Sequence, residues 1–262
     1  MSQTIKFAYQ SSVFEVGPTI EHSAYSSFPG FVQYETGCSY PQILHNVRVV
    51  LTWKNLSEQI PAISLTAVKQ QGYLVEEAGE PKIVVAEALI KEYPVRWRQK
   101  MGVSWSEWLA RFDEDSTAIG IRADEIVHGP DHGHCLCEGS LYLLDKLDVH
   151  PLFRGQRVGL HLCRYVLNVI PKTDSDMIFL LADPIDSKYE NGNYNRITDI
   201  NRLAEYYVTA GFRYVRVQPD GQILMEARGS DPQVRFNLAY IASETAPTGA
   251  GIHAHYSAAS SN

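Results

Sequence analysis

Apolar and polar positions along the chain fall into alternating runs and helical stripes, and their order predicts the elements. Val47 to Trp53 (VRVVLTW) is rich in β-branched residues and reads as a strand. Gly72–Glu77 and Lys82–Ile90 are apolar runs separated by Ala-Gly-Glu-Pro, the signal of an antiparallel hairpin. Trp105 to Phe112 has helical spacing. Leu141 onward begins as a strand and passes a turn rich in Pro, Arg and Gly. Beyond the turn Val158, Leu162, Val166 and Ile170 recur every four residues, so one face of a helix packs on a sheet. Met177–Ala182 (MIFLLA) is continuously apolar, as in a buried strand. A polar loop over Asp183–Thr198 follows, then a helix over Asp199–Ala210 with Ile200, Leu203, Tyr207 and Ala210 on one face and Gly211 to stop it. Phe212–Gln218 and Ile223–Ala227 form a last hairpin around Pro219-Asp220-Gly221.

Other stretches are less legible. Residues 1–46 mix aromatics with Ser, Gly and Pro without a sustained period; they read as an ordered extension with short elements. Asn55–Gln71 reads as a partly helical crossover broken by Pro61, and Phe236–Ile241 as one further element. The Ala/Ser/Gly-rich tail over 242–262 is expected to be disordered. The domain proper is then 47–241, mixed α/β, with an insertion at about 91–134. That insertion holds three of the four tryptophans, either as a helix packed on the core or as the wall of a pocket; packing is the more ordinary use of such a stripe.

Composition narrows the function classes. At 262 residues, 45% hydrophobic and 20% charged, the chain is an ordinary globular one with room for a large core. No run is long and apolar enough for a membrane helix, and MSQTIKFAYQ lacks a basic-then-apolar leader pattern. Four cysteines at this length do not make a disulfide framework, so a reducing cytoplasm is the expected setting. A net charge of −7 without a basic stripe disfavours nucleic acid and mildly favours cationic partners such as amines. His128, His132, His134, Cys135 and Cys137 are metal-ligand types, but their spacing matches no zinc framework, and Gly-Pro-Asp-His-Gly reads as a turn; no metal is expected.

The chemistry concentrates at Leu147–Leu160 (LDVHPLFRGQRVGL). Pro151 ends a strand, and Gly155 and Gly159 relieve crowding at the turn and early helix. The N–H groups from about Gln156 to Leu160 have no acceptor within the helix and can hold a diphosphate, helped by the helix dipole and by Arg154 and Arg157.

These residues resemble a known family, the GNAT superfamily of acetyl-CoA-dependent N-acetyltransferases. Its signature is a strand ending in Val-x-Pro, then Arg/Gln-x-x-Gly-x-Gly/Ala; here stand Val149-His150-Pro151 and Arg154-Gly155-Gln156-Arg157-Val158-Gly159. A second signature, R-L-A-x-F-Y-x-x-x-G-F, is similar to Arg202-Leu203-Ala204-Glu205-Tyr206-Tyr207-Val208-Thr209-Ala210-Gly211-Phe212. The resemblance covers about Val47 to Ala227 and is densest over Ser140–Val217. One departure stands out: Arg157 occupies the first Gly of the family's Gly-x-Gly. Its side chain either turns outward, joins the diphosphate contacts, or weakens cofactor binding.

The resemblance implies an α+β fold: a twisted, mostly antiparallel sheet flanked by helices and split by a V-shaped gap for acetyl-CoA. It implies a cofactor site of Leu147, Asp148, Val149, Arg154, Gly155, Gln156, Arg157, Val158, Gly159 and Leu160. The backbone at Leu147–Val149 would pair with the pantetheine arm, and the Val149 N–H would polarise the thioester carbonyl. Tyr207 matches the tyrosine that protonates the departing thiolate, though it also fits a core tyrosine. Asn201 is either a cofactor contact or a helix cap. For the general base, Glu138 is the first choice among Glu138, Asp145, Asp148 and His150, although an ordinary surface role explains each. The implied activity is transfer of an acetyl group to a primary amine of a small molecule or peptide. An acyl-CoA-binding module without turnover, and an acyltransferase acting on a macromolecule, are the alternatives. Neither the acceptor nor the oligomeric state, a homodimer included, is legible.

Overall fold

The computed structural model describes residues 4–9, 12–25, 42–52, 74–77, 79–130, 135–184 and 196–229. Ten strands occur among them: β1 (Ile5–Tyr9), β2 (Ser12–Val16), β3 (Thr19–Tyr25), β4 (Gln42–Thr52), β5 (Leu74–Glu77), β6 (Glu80–Tyr93), β7 (Leu141–Val149), β8 (Met177–Ala182), β9 (Arg213–Val217) and β10 (Ile223–Arg228). The helices are α1 (Val95–Met101), α2 (Trp105–Leu109), α3 (Glu114–His128), α4 (Val158–Val169) and α5 (Arg196–Ala210). β1 and β2 make a separate hairpin, while the other eight strands form one sheet in the order β3-β4-β6-β7-β8-β10-β9, with β5 beside β6. Every pairing in that sheet is antiparallel except β7 with β8, which α4 connects. The expected mixed α+β class with a mostly antiparallel sheet is what the chain adopts. No described helix is long and apolar enough to cross a membrane.

Alternation along the strands sends side chains to two cores, one on each face of the sheet. Tyr142 and Leu144 of β7, with Ile178 and Leu180 of β8, pack against Leu162, Cys163 and Val166 of α4 and against Tyr207 of α5. Leu141 and Leu143, with Met177 and Phe179, face α1, α2 and α3 instead. There Trp97 stacks on Trp108 at 4.5 Å and Trp105 on Trp108 at 5.6 Å, all three buried. The tryptophan-rich segment is therefore core. The predicted stripe of α4 is buried throughout: Val158 1%, Leu162 0%, Val166 0% and Ile170 4% exposed.

Several boundaries differ from the sequence reading. β4 begins at Gln42 and runs through the break drawn at 46/47; β3 joins the same sheet, so part of the extension belongs to it. β6 extends to Tyr93, placing Lys91–Tyr93 in the sheet rather than in the insertion. α3 continues to His128, so Asp124–His128 is helical, held at its start by the Asp113 carboxylate on the Ser116 N–H. α5 starts at Arg196, where Arg196 pairs with Asp183, so Asn201 lies inside the helix and is not its cap. The readings at 55–71, 236–241 and 242–262, and those of His132 and His134, fall outside the described residues.

At the end of the sheet away from the turn after β7, His45 Nε2 and a Glu92 carboxylate oxygen lie 2.7 Å apart, both residues buried. Burial alone pushes the Glu92 carboxyl up. The His45 hydrogen bond and the charges of Lys172 and His45 outweigh it and hold the group below its ordinary value. Replacing one partner leaves the other buried and uncompensated. His45→Leu is expected to lower unfolding stability by about 3 kcal/mol in urea titrations. Because the folded Glu92 value is depressed, its contribution is complete above roughly pH 4.3 and is lost as pH falls through the folded value. The stability gap between wild type and Glu92→Gln should accordingly shrink on acidification below about pH 4.

Candidate functional site

β7 and β8 stay together for only three residue pairs, Leu141 to Leu143 with Met177 to Phe179. β8 keeps β10 along its whole length, while β7 follows β6 to its end through a bulge that leaves Asp145 as the extra residue. A bulge bends and over-twists its strand, so β7 swings away from β8. Beyond Leu143 no strand among the described residues covers the β8-facing edge of β7. The V-shaped opening is lined by Leu144–Val149, by Leu181 of β8 and Asp183 just after it, and by the start of α4 and one face of α5; its volume is about 780 Å³. That lies in the range of small-ligand clefts.

Which backbone groups face the opening follows from register. The His150 N–H donates to the Val85 carbonyl on the β6 side at 2.9 Å. Successive N–H groups alternate, so those of Val149 and Leu147 point the other way, into the cleft. The Val149 carbonyl is taken by Arg154 Nε at 2.9 Å.

A short 3-10 turn, Pro151–Phe153, turns the chain from β7 toward α4. Phe153 is fully buried and fixes it to the core. His150 is also buried; its Nδ1 accepts the Leu152 N–H at 3.1 Å, so the proton resides on Nε2, and burial holds its pKa below the usual value. Gly155 has φ +78°, a left-handed conformation that glycine adopts at no steric cost. Arg157, the N-cap of α4, has φ +60° and makes no capping bond with its side chain, which is exposed. Only Leu136 shares a positive φ among the described non-glycine residues. The first turn of α4 contains no acidic residue, whereas α3 begins with Asp113, Glu114 and Asp115. α4 thus presents uncapped donors and a cation where a helix prefers an anion.

Gly159 is small for a spatial reason. A Cβ there would come within 2.7 Å of the Tyr206 hydroxyl and 2.9 Å of Val149 Cγ2. The end of β7, the start of α4 and α5 converge at this point.

The structure brings Leu147, Asp148, Val149, Arg154, Gly155, Arg157, Val158, Gly159 and Tyr207 together around one cleft. Gln156 is half-buried in the turn and Leu160 is buried in the core, neither on the cleft surface; Asn201 is exposed. Arg154 is spent on the Val149 carbonyl and on Asp148 at 3.6 Å. Glu138 is exposed in the bend before β7, at the opposite end of the strand from the turn, and does not line the cleft. His150 is enclosed in the core, off the cleft surface. Tyr207 is 8% exposed, its ring edge-on to Phe212, and no described residue hydrogen-bonds its hydroxyl. Burial, then the nearby Cys163 and Tyr206, push its pKa far up. His128 Nδ1 bonds the Asp124 carbonyl of its own helix, and no group of three metal-ligating side chains occurs among the described residues.

Sequence reasoning named Asp145 among the candidate bases but missed Asp183 and Asp115, with which it forms the acidic end of the cleft. Asp145, on the bulge, pairs with Lys91 at 2.7 Å, and Asp183 with Arg196 at 2.9 Å. Behind them Asp115 has its carboxyl raised by burial and by the charges of Asp113, Asp220 and Asp183. Arg154 and Arg157 stand at the α4 end, and Arg202 of α5, paired with Asp199, also lines the cleft. The bulge that assembles this arrangement has no Gly or Pro to announce it. No protein-family model matches this sequence, and a search of curated proteins gives no match.

The left-handed Arg157 can be tested directly. Arg157→Ala keeps the strained backbone, whereas Arg157→Gly relieves it. In equilibrium unfolding the glycine variant should be more stable than the alanine variant by about 1 kcal/mol.

Proposed function

We propose that the chain is an N-acetyltransferase that moves an acetyl group from acetyl-CoA to a primary amine by direct transfer. One observation carries the reading: two motifs some fifty residues apart in sequence, each resembling a GNAT signature, line one cleft. The open edge of β7 offers the Leu147 and Val149 N–H groups to an amide-bearing pantetheine arm, as an added strand would use them. The uncapped donors at α4, with Arg157, suit the diphosphate.

Packing orders the two ends. Val149 touches the start of α4, so its N–H belongs near the diphosphate rather than the thioester. The reacting end is at Leu144 and Asp145, about 15 Å back along the strand at ~3.3 Å per residue. There the amine attacks the thioester carbonyl, a C–N bond forms, the C–S bond breaks, and the thiolate takes a proton from Tyr207. The buried phenol keeps its proton at neutral pH, and a thiolate forming in the same dry site is correspondingly more basic. Asp145, at the parting of the strands, is better placed than Glu138 to receive the amine's proton, directly or through a water. The acidic end favours a cationic acceptor.

Release of free thiol from acetyl-CoA across a panel of amines tests the reading; binding of CoA without thiol release on any amine would replace it with a binding module. Tyr207→Phe is expected to lower kcat about a hundredfold, and Asp145→Asn by a similar factor, with Glu138→Gln near wild type. Full turnover in Tyr207→Phe would remove the phenol from the mechanism.

A further inference from the structure

Tyr206 neighbours Tyr207 on α5 but serves a different part of the cleft. Its hydroxyl reaches the first turn of α4: a Cβ at Gly159 would meet it at 2.7 Å, with Val149 Cγ2 at 2.9 Å and Leu147 Cδ2 at 3.8 Å. The ring is half-buried in the cleft wall, edge-on to Tyr207 at 5.8 Å. No described residue hydrogen-bonds the hydroxyl. A phenolic O–H in a half-buried wall normally finds a partner. Burial pushes its pKa up, so it remains a donor across the neutral range.

The surroundings specify what that partner carries. Beside the hydroxyl are the α4 donors Val158, Gly159 and Leu160, which have no acceptor inside the helix. Arg157 lines the same end of the cleft, and its side chain caps nothing. These donors, with no acidic group in the first turn, call for a group rich in acceptor oxygens and negative charge.

We propose that Tyr206 is a cofactor-positioning residue whose hydroxyl donates a hydrogen bond to a diphosphate oxygen at the head of α4. This rests on the acetyl-CoA reading above. It also accounts for Gly159, since any side chain there would displace the hydroxyl from the helix start. Tyr206 then sets where the pantetheine arm begins along β7, and Tyr207 acts where the arm ends.

Tyr206→Phe deletes one oxygen and keeps the ring. Titration calorimetry with CoA should show affinity reduced tenfold or more, as for a hydrogen bond to a charged group. S-acetylpantetheine, which has no diphosphate, should bind wild type and variant alike. In turnover, KM for acetyl-CoA should rise with kcat nearly unchanged, the reverse of Tyr207→Phe. Gly159→Ala, which crowds the hydroxyl from the other side, should weaken CoA binding in the same way. Equal CoA affinity in wild type and Tyr206→Phe overturns the proposal and leaves the acyl-transfer reading standing. An equal loss for CoA and S-acetylpantetheine overturns it in favour of a packing role. Wild type that binds no CoA removes the acyl-CoA reading, and this proposal with it.

Discussion

The site depends on one constraint: two central strands that can share only three residue pairs. β8 is held along its length by β10 and β7 by β6, and the bulge at Asp145 gives β7 a twist that β8 does not follow. An unpaired edge is usually blunted by charge, proline or a covering element because it recruits other chains. Here it lies in the middle of a sheet, reached only through a cleft, so what can pair with it is restricted to something narrow and extended. The same divergence opens the path from the edge to the head of α4. One geometric conflict therefore supplies the cleft, its orientation and the free helix-start donors at its end.

A split sheet would be weak unless both faces were clamped, and the two cores do this. On one face α4 and α5 pack on β7, β8 and β10 and carry Tyr207 between them. On the other the stacked tryptophans bind α1 and α2 against the closed half of the opening, where β7 and β8 still pair. The His45–Glu92 pair fastens the sheet beside the closed end, where Glu92 faces Tyr142 of β7, and Asp176 ties the start of β7 to the approach of β8 through the Ser140, Lys172 and Thr173 N–H groups. Polar groups at the closed end are paired with one another, while the open end exposes hydroxyls and amides to the cleft.

Elements with a strong period were legible from sequence: α4 from its four-residue stripe, β8 from its apolar run, and the last hairpin from Pro219-Asp220-Gly221. Their pairing was only partly so. β10 lies between β8 and β9, which alternation alone does not specify. Thr19–Tyr25 forms a strand without a clear hydrophobic alternation; it lies at the margin of the sheet, where β4 alone pairs with it. In the site, the turn before α4 was visible because steric needs leave a signature in Gly and Pro spacing, whereas Tyr207 entered through the family resemblance. The acidic end was not visible, because it is assembled from Asp145, Asp183 and Asp115, which only the fold brings together. Glu138 shows the complementary error: adjacency to the central strand in sequence placed it at the wrong end of that strand in space.

Arg157 sharpens the physical case for an anion at α4. A left-handed conformation costs a residue with a Cβ about 1–2 kcal/mol, and a cation at the positive end of a helix dipole costs roughly a further 0.3–1 kcal/mol. Both costs fall on one residue whose side chain caps nothing and lies exposed. Neighbouring structure holds the backbone there: Phe153 is anchored in the core, and Gly155 takes the other left-handed position of the turn. In the free protein the arrangement is therefore doubly unfavourable. An anion at the head of α4 reverses the electrostatic half of that cost and turns the guanidinium into an added donor. The backbone half is met by the turn itself, which aims the Val158, Gly159 and Leu160 N–H groups outward. A glycine would relieve the strain but would leave the same donors without their cation, so what is an expense in isolation becomes affinity once a charged ligand is bound.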